Sequence, residues 1–148
     1  MGDGADDADD GASPLPFLGA LAIILLVVIG IGAVTLSNRG EDNEREAVVR
    51  AALAQNDALQ RLDYGAFRAN TCAQQAGTEA TVLGGQRDST AAKGARYVDN
   101  VTAVSVDGDR ATATVAYYFA DSKDAKIDIA TTFVREDGAW KVCTAGPS

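Results

Sequence analysis

The sequence predicts an α+β protein: an N-terminal transmembrane helix, then a domain of two or three helices packed on a curved four-stranded antiparallel sheet. Three observations predict it. Residues Phe17 to Leu36 carry no charge and only one clearly polar side chain, Thr35. From Glu41 to Leu62 apolar residues recur at helical spacing. Beyond Ala95 the pattern changes to strand-like alternation punctuated by two Asp-Gly pairs. Helices first and strands afterwards is the order of an α+β domain. The expected divisions are an acidic disordered tail at 1–16, a transmembrane helix at 17–37 and a soluble domain at 41–148.

As a helix, the uncharged run is about 30 Å long, the thickness of a bilayer's hydrocarbon core. A core helix of that length is rarely apolar on every face. A cleaved signal peptide would carry a basic leading region, whereas the residues ahead of this run are Asp3, Asp6, Asp7, Asp9 and Asp10 with no Lys or Arg. An uncleaved signal-anchor is therefore expected. Gly30 and Gly32 lie inside it, but no GxxxG pair argues for helix dimerisation.

Two rules disagree on orientation. Basic residues follow the span (Arg39, Arg45, Arg50) and none precedes it, which by the positive-inside rule places the domain in the cytoplasm. Against this stand Cys72 and Cys143, the chain's two cysteines, in a small domain whose sequence has no histidine. Such a pair reads as a disulfide rather than a metal site, and a disulfide persists in an oxidising compartment. Arg45 and Arg50 belong to the helical pattern of the domain rather than to a topogenic flank. The expectation is a single-pass plasma-membrane protein with its N-terminus cytoplasmic and its domain extracytoplasmic.

Charge excludes further classes. The formal net charge is −8, and from Glu41 onward 12 Lys and Arg face 16 Asp and Glu. Nucleic acid is not an expected partner, since phosphate binding needs a basic patch. The absence of histidine removes the commonest general base and most zinc sites. No metal and no cofactor is expected.

Within the domain, Glu41-Asp42-Asn43-Glu44 suits a helix N-terminus. Val48, Val49, Ala52, Leu59 and Leu62 share one face, with Asn56 as a polar interruption, and the Glu46–Arg50 and Asp57–Arg61 pairs lie opposite. Asp63 reads as the N-cap of a second, short helix ending near Cys72. A third short helix is expected around Glu79 to Leu83, with loop elsewhere up to Gly94. Strands are expected over Tyr97–Val106, Ala111–Phe119, Ile127–Val134 and Trp140–Cys143. Asp107-Gly108 and Asp137-Gly138 make turns, and Ala120–Ala125 a polar connection. Asp107-Gly108-Asp109 lacks the other ligands of a calcium loop, and Gly84 to Thr90 lacks a P-loop lysine. Asn100-Val101-Thr102 matches the glycosylation pattern but lies in an expected strand.

The segment Asp63-Tyr64-Gly65-Ala66-Phe67, then Cys72, Asp107-Gly108-Asp109-Arg110 and Arg135-Glu136-Asp137-Gly138-Ala139-Trp140-Lys141-Val142-Cys143, resembles the nuclear transport factor 2-like (ketosteroid-isomerase-like) superfamily. Within it the chain is similar to small membrane-anchored actinobacterial proteins described as lumazine-binding-like or Mce-associated. The resemblance covers about Glu41 to Cys143. It implies a cone-like domain that brings Cys72 and Cys143 together. Enzymes of the superfamily place an Asp base and a Tyr donor or a His in the cone, so Tyr97, Asp99, Tyr117, Phe119, Phe133 and Trp140 are the candidate pocket residues. Asp99 and Asp128 are the carboxylates at hand, with Asp99 sharing its strand face with Tyr97 and Val101 and Asp128 alternating away from the Ile127/Ile129 face. Members commonly pair through their sheets, which makes Thr112, Thr114 and Tyr118 the candidate docking or dimer face. No catalytic residue is assigned, because apolar side chains on the inner face are first of all core. The function expected is envelope binding of a partner protein or a small apolar ligand without catalysis. The alternative is a ketosteroid-isomerase-like isomerase or dehydratase acting on a lipid-soluble substrate.

Overall fold

The computed structural model describes residues 15–148, with side chains described for residues 22–31 and 39–148. The expected acidic tail falls almost wholly outside this range, as do the side chains at both ends of the expected span. Among the described residues, no helix is long and apolar enough to cross a membrane. Helix α1 runs Leu15–Gln60. The chain divides into two compact units, Met1–Arg39 and Gly40–Ser148.

In the second unit, α1 buries Val48, Ala51, Ala52, Gln55, Asn56 and Leu59. These positions recur at intervals of three and four, which places them on one helical face. Two alanines in the stripe allow close approach to the sheet. Leu62, expected on that face, lies past the helix end with φ 55° and is exposed. Helix α2 is Tyr64–Ala69, and Asp63 Oδ1 accepts from the Ala66 N–H at 2.9 Å, the expected cap. Helix α3 is Glu79–Lys93, three times the length expected. It buries only Leu83 and Gln86. Gly84-Gly85 and a polar composition hid it, since both lower helix propensity.

The four strands, β1 Arg96–Asp107, β2 Arg110–Phe119, β3 Ser122–Glu136 and β4 Ala139–Val142, form one antiparallel sheet in the order β1-β2-β3-β4, the expected meander. The fold is thus α+β. Asp137 and Gly138, between the paired Glu136 and Ala139, both have positive φ (52° and 77°), the geometry of a primed hairpin turn. Strand β3 absorbs the connection expected at Ala120–Ala125, because Phe119 pairs directly with Ser122. Backbone pairing tolerates the polar Lys123, Asp124 and Lys126, all of which are exposed.

Alternation in β1 is broken twice, between Val98 and Asn100 and between Thr102 and Ser105. Val98, Val101, Val104 and Val106 consequently all reach the core. This corrects the expectation that Asp99 shares a face with Tyr97 and Val101. Asp99 is the unpaired bulge residue, and each slipped residue reverses the faces that follow.

The core gathers Val48, Ala51 and Ala52 of α1 with Ala111, Ala113, Val115, Tyr117, Phe133, Trp140 and Val142 of the sheet. Ile127, expected on this face, is exposed in the part of β3 that β4 does not reach. A smaller cluster joins Ala58, Leu59 and Phe67. Cys72 and Cys143 form a disulfide with their Cα atoms 5.2 Å apart.

Candidate ligand pocket

A cavity of about 390 Å³ lies among α1, α2, α3 and the segment that follows β4. That volume falls in the range of small-molecule sites. Its apolar wall is Leu59 and Phe67, with Val82 from α3. Four of its polar residues are buried, Gln55, Thr71, Gln86 and Arg96, while Gln75 and Thr81 on its rim are exposed. Gln55 Nε2 donates to Thr71 Oγ1 at 2.8 Å, and Thr71 Oγ1 donates to the Phe67 carbonyl at 2.7 Å.

Arg96 dominates the electrostatics. Only 6% of it is exposed. Its Nε donates to Asn56 Oδ1 at 2.8 Å and its Nη1 to the Pro147 carbonyl at 2.6 Å. Asn56 Nδ2 returns a bond to the Arg96 carbonyl at 3.1 Å, which accounts for the polar interruption on α1. The guanidinium carbon sits 5.0 Å from the centre of the Tyr117 ring, in cation–π range. Burial pulls the Arg96 pKa below the usual arginine value, with Tyr117 opposing, and burial raises that of Tyr117. Arginine nonetheless keeps its charge in proteins. Among the described residues no carboxylate forms an ion pair with it.

Of the six pocket residues named from sequence, Tyr117, Phe133 and Trp140 share one core cluster, and Tyr97 and Asp99 do not belong to it. Tyr117, Phe119, Phe133 and Trp140 are buried in the core. Tyr97 is exposed and stacks on Tyr118, ring centres 5.2 Å apart. The Asp99 carboxylate receives Lys126 Nζ at 2.8 Å. The candidate docking residues Thr112, Thr114 and Tyr118 alternate with the buried Ala113, Val115, Tyr117 and Phe119 of β2, and so line its opposite face. Among the described residues no group of three acids, cysteines or histidines is arranged to hold a metal. Sequence reasoning missed Arg96, although a signal existed: two residues before the inward Val98, a strand points the same way.

A second, shallower hollow of about 330 Å³ holds Glu44, Arg135 and Trp140. Glu44 Oε2 accepts from Trp140 Nε1 at 2.7 Å and from Arg135 Nη2 at 2.5 Å. The Arg135 guanidinium lies 4.6 Å from the Trp140 ring centre. The indole N–H first, and Arg135 second, hold the Glu44 carboxyl below its usual range. A carboxyl with a lowered folded-state pKa stabilises the fold above the unfolded value of about 4.3. That contribution is lost as pH falls through the folded value. Glu44→Gln is expected to flatten the fall of the unfolding temperature below about pH 5. Melts across pH, followed by the emission of Trp140, the sole tryptophan, check it. Identical slopes in both proteins would reject this role for Glu44.

No protein-family model matches the chain, and no curated protein matches it in sequence. Among solved structures it is similar to a candidate dehydratase from the NTF2-like family from Streptomyces avermitilis. Identity is 20% over 69% of this chain and 92% of that one, with a TM-score of 0.43.

Proposed function

We propose that this chain is a single-pass membrane-anchored protein of the cell envelope whose extracytoplasmic domain binds a small ligand with an apolar body, without catalysis. The observation that carries the binding reading is the cavity itself. It pairs an apolar wall with convergent buried polar groups, the usual make-up of a ligand site. Among the described residues that line it, none is Asp or Glu, the side chains an isomerase of this kind would use as general base. Asp99, the acid an isomerase or dehydratase would use, is held by Lys126 away from it.

Two observations support the address. Ile23 to Ile29 are consecutive apolar residues, each more than half exposed, so that every face of this helical stretch is bare hydrocarbon. Such surface marks a membrane or interaction site. The Cys72–Cys143 bridge suits an oxidising compartment. The proposed anchor would hold the domain beside the bilayer, where apolar ligands partition.

The test has two arms. Alkaline carbonate should leave the full chain in the membrane pellet, and protease added to intact cells should remove the domain. A soluble chain, or a domain protected until lysis, would defeat the proposed location. Screening the purified protein against small amphiphiles should raise its unfolding temperature. Filling the cavity with Val82→Phe should abolish that rise while the fold persists. A rise that survives this variant would place the ligand elsewhere.

A further inference from the structure

We propose that the cavity against Arg96 selects a small monoanionic carboxylate, which replaces the Pro147 carbonyl on the guanidinium. The inference rests on the reading of this cavity as a ligand site and names the class of ligand.

The argument begins with an unbalanced charge. A guanidinium offers five N–H donors in a planar fork that matches a carboxylate. Among the described residues, Nε finds Asn56 and Nη1 finds the Pro147 carbonyl, while Nη2 makes no hydrogen bond within the protein and is not sealed from solvent. A buried cation is normally paired with an anion, because neutral dipoles compensate its lost hydration poorly. Here a single carbonyl stands where a carboxylate would form the stronger, charge-assisted pair of bonds. Among the described residues that line the cavity, Arg96 alone has a charged side chain, and the Ser148 backbone oxygen that also lines it is bonded by Lys93 Nζ. One negative charge would be neutralised there. A second would remain buried and uncompensated, which disfavours dianions such as phosphate monoesters. Leu59, Phe67 and Val82 call for an apolar body behind the carboxylate.

The segment that now touches Arg96 is built as an exchangeable occupant. Its root is fixed: Cys143 is bridged to Cys72, and Thr144 Oγ1 accepts from the Thr132 N–H at 2.9 Å. Beyond that root, among the described residues the segment 145–148 is held by Arg96 Nη1 donating to the Pro147 carbonyl and Lys93 Nζ donating to the Ser148 backbone oxygen. Gly146 lies so close that a Cβ on it would sit 2.8 Å from Arg96 Nη1. The guanidinium is fixed by Asn56 and Tyr117, so a side chain at 146 would lift the segment rather than shift the arginine.

Calorimetry on the full chain in a neutral maltoside detergent tests this with three probes: 4-phenylbutanoate, its neutral isostere 4-phenylbutanamide, and the dianion 3-phenylpropyl phosphate at pH 8. The carboxylate is expected to bind at least about tenfold more tightly than either, in line with a charge-assisted bond replacing a neutral one. Arg96→Met should erase that preference, and Gly146→Ala should tighten carboxylate binding by freeing the guanidinium. Equal binding of carboxylate and amide would overturn the charge selection yet leave the ligand site standing. Failure of all three probes would remove both. Tighter binding of the phosphate would overturn the monoanion assignment. Unchanged affinity in Gly146→Ala would refute the placeholder role of Pro147. The comparison of probes on the unaltered chain decides the matter even if Arg96→Met does not fold.

Discussion

Breaking the Cys72–Cys143 bridge is expected to destabilise the Gly40–Ser148 domain by about 4 kcal/mol. The bridge spans 71 residues of sequence, and in the chain-entropy description closing a loop of that length restricts the unfolded ensemble by about that much. Small domains have a total stability of only about 5–15 kcal/mol, so the bridge is a large share of it. The native side of the balance is favourable as well. Cys72 N–H donates to the Val142 carbonyl and the Val142 N–H donates to the Asn70 carbonyl, both at 2.9 Å, so the segment after α2 already runs beside β4 before the sulfurs join. A Cys72→Ala/Cys143→Ala chain should unfold on the order of 15 °C lower, taking about 4 °C or more per kcal/mol for a domain of this size. Melts followed through Trp140, with and without reductant, measure it. A fall of only a few degrees would mean that residual structure in the reduced chain already confines the loop.

The same bridge separates what the sequence made legible from what it did not. Cys72 and Cys143, the Asp63 cap and the Asp137-Gly138 turn are local chemistry: each follows from a residue type whose preferred geometry has few alternatives. The meander was legible for the same reason, since β2 alternates without a slip from Ala111 to Phe119. Strand β1 was misread because two bulges shift its faces, and a bulge is decided by pairing with β2 rather than by β1 itself. The spacing of Val98, Val101 and Val104 held the clue, three residues apart where unbroken alternation requires two. Helix α3 was underestimated because its stability comes from seating Leu83 and Gln86 against the rest of the domain, not from propensity. The cavity was illegible. Its walls come from α1, α2, α3 and residues 144–148, and no local pattern reports that four distant segments meet. Arg96 became a candidate only once its surroundings showed a cation with no anion beside it.

Phe133→Ala is expected to cost about 3–5 kcal/mol, the range for deleting a buried aromatic ring. Phe133 is 1% exposed and the largest of the fully buried side chains. Its cross-strand partners are Ala111 and Val142, and Ala51, Ala52 and Ala113 belong to the same cluster. Alanines have no side chain to swing into a void, so the cavity would stay open and the cost should fall toward the upper end of that range. Phe133 pairs with Val142, the neighbour of Cys143, so its loss and the loss of the disulfide act on one strand pair and should not add independently. A double-mutant cycle by urea unfolding measures the coupling. Stability would already be reduced by about 4 kcal/mol in the reduced chain. Full additivity would bring the combined loss to about 7–9 kcal/mol, inside the usual range of about 5–15 kcal/mol, so reduced Phe133→Ala should be the least stable chain of the cycle, with most of its circular-dichroism strand signal lost at 25 °C. If that chain instead melts cooperatively well above room temperature, the weight of the core lies on the α1 face around Val48 and Ala52 rather than on β3, and Val48→Ala becomes the costlier substitution.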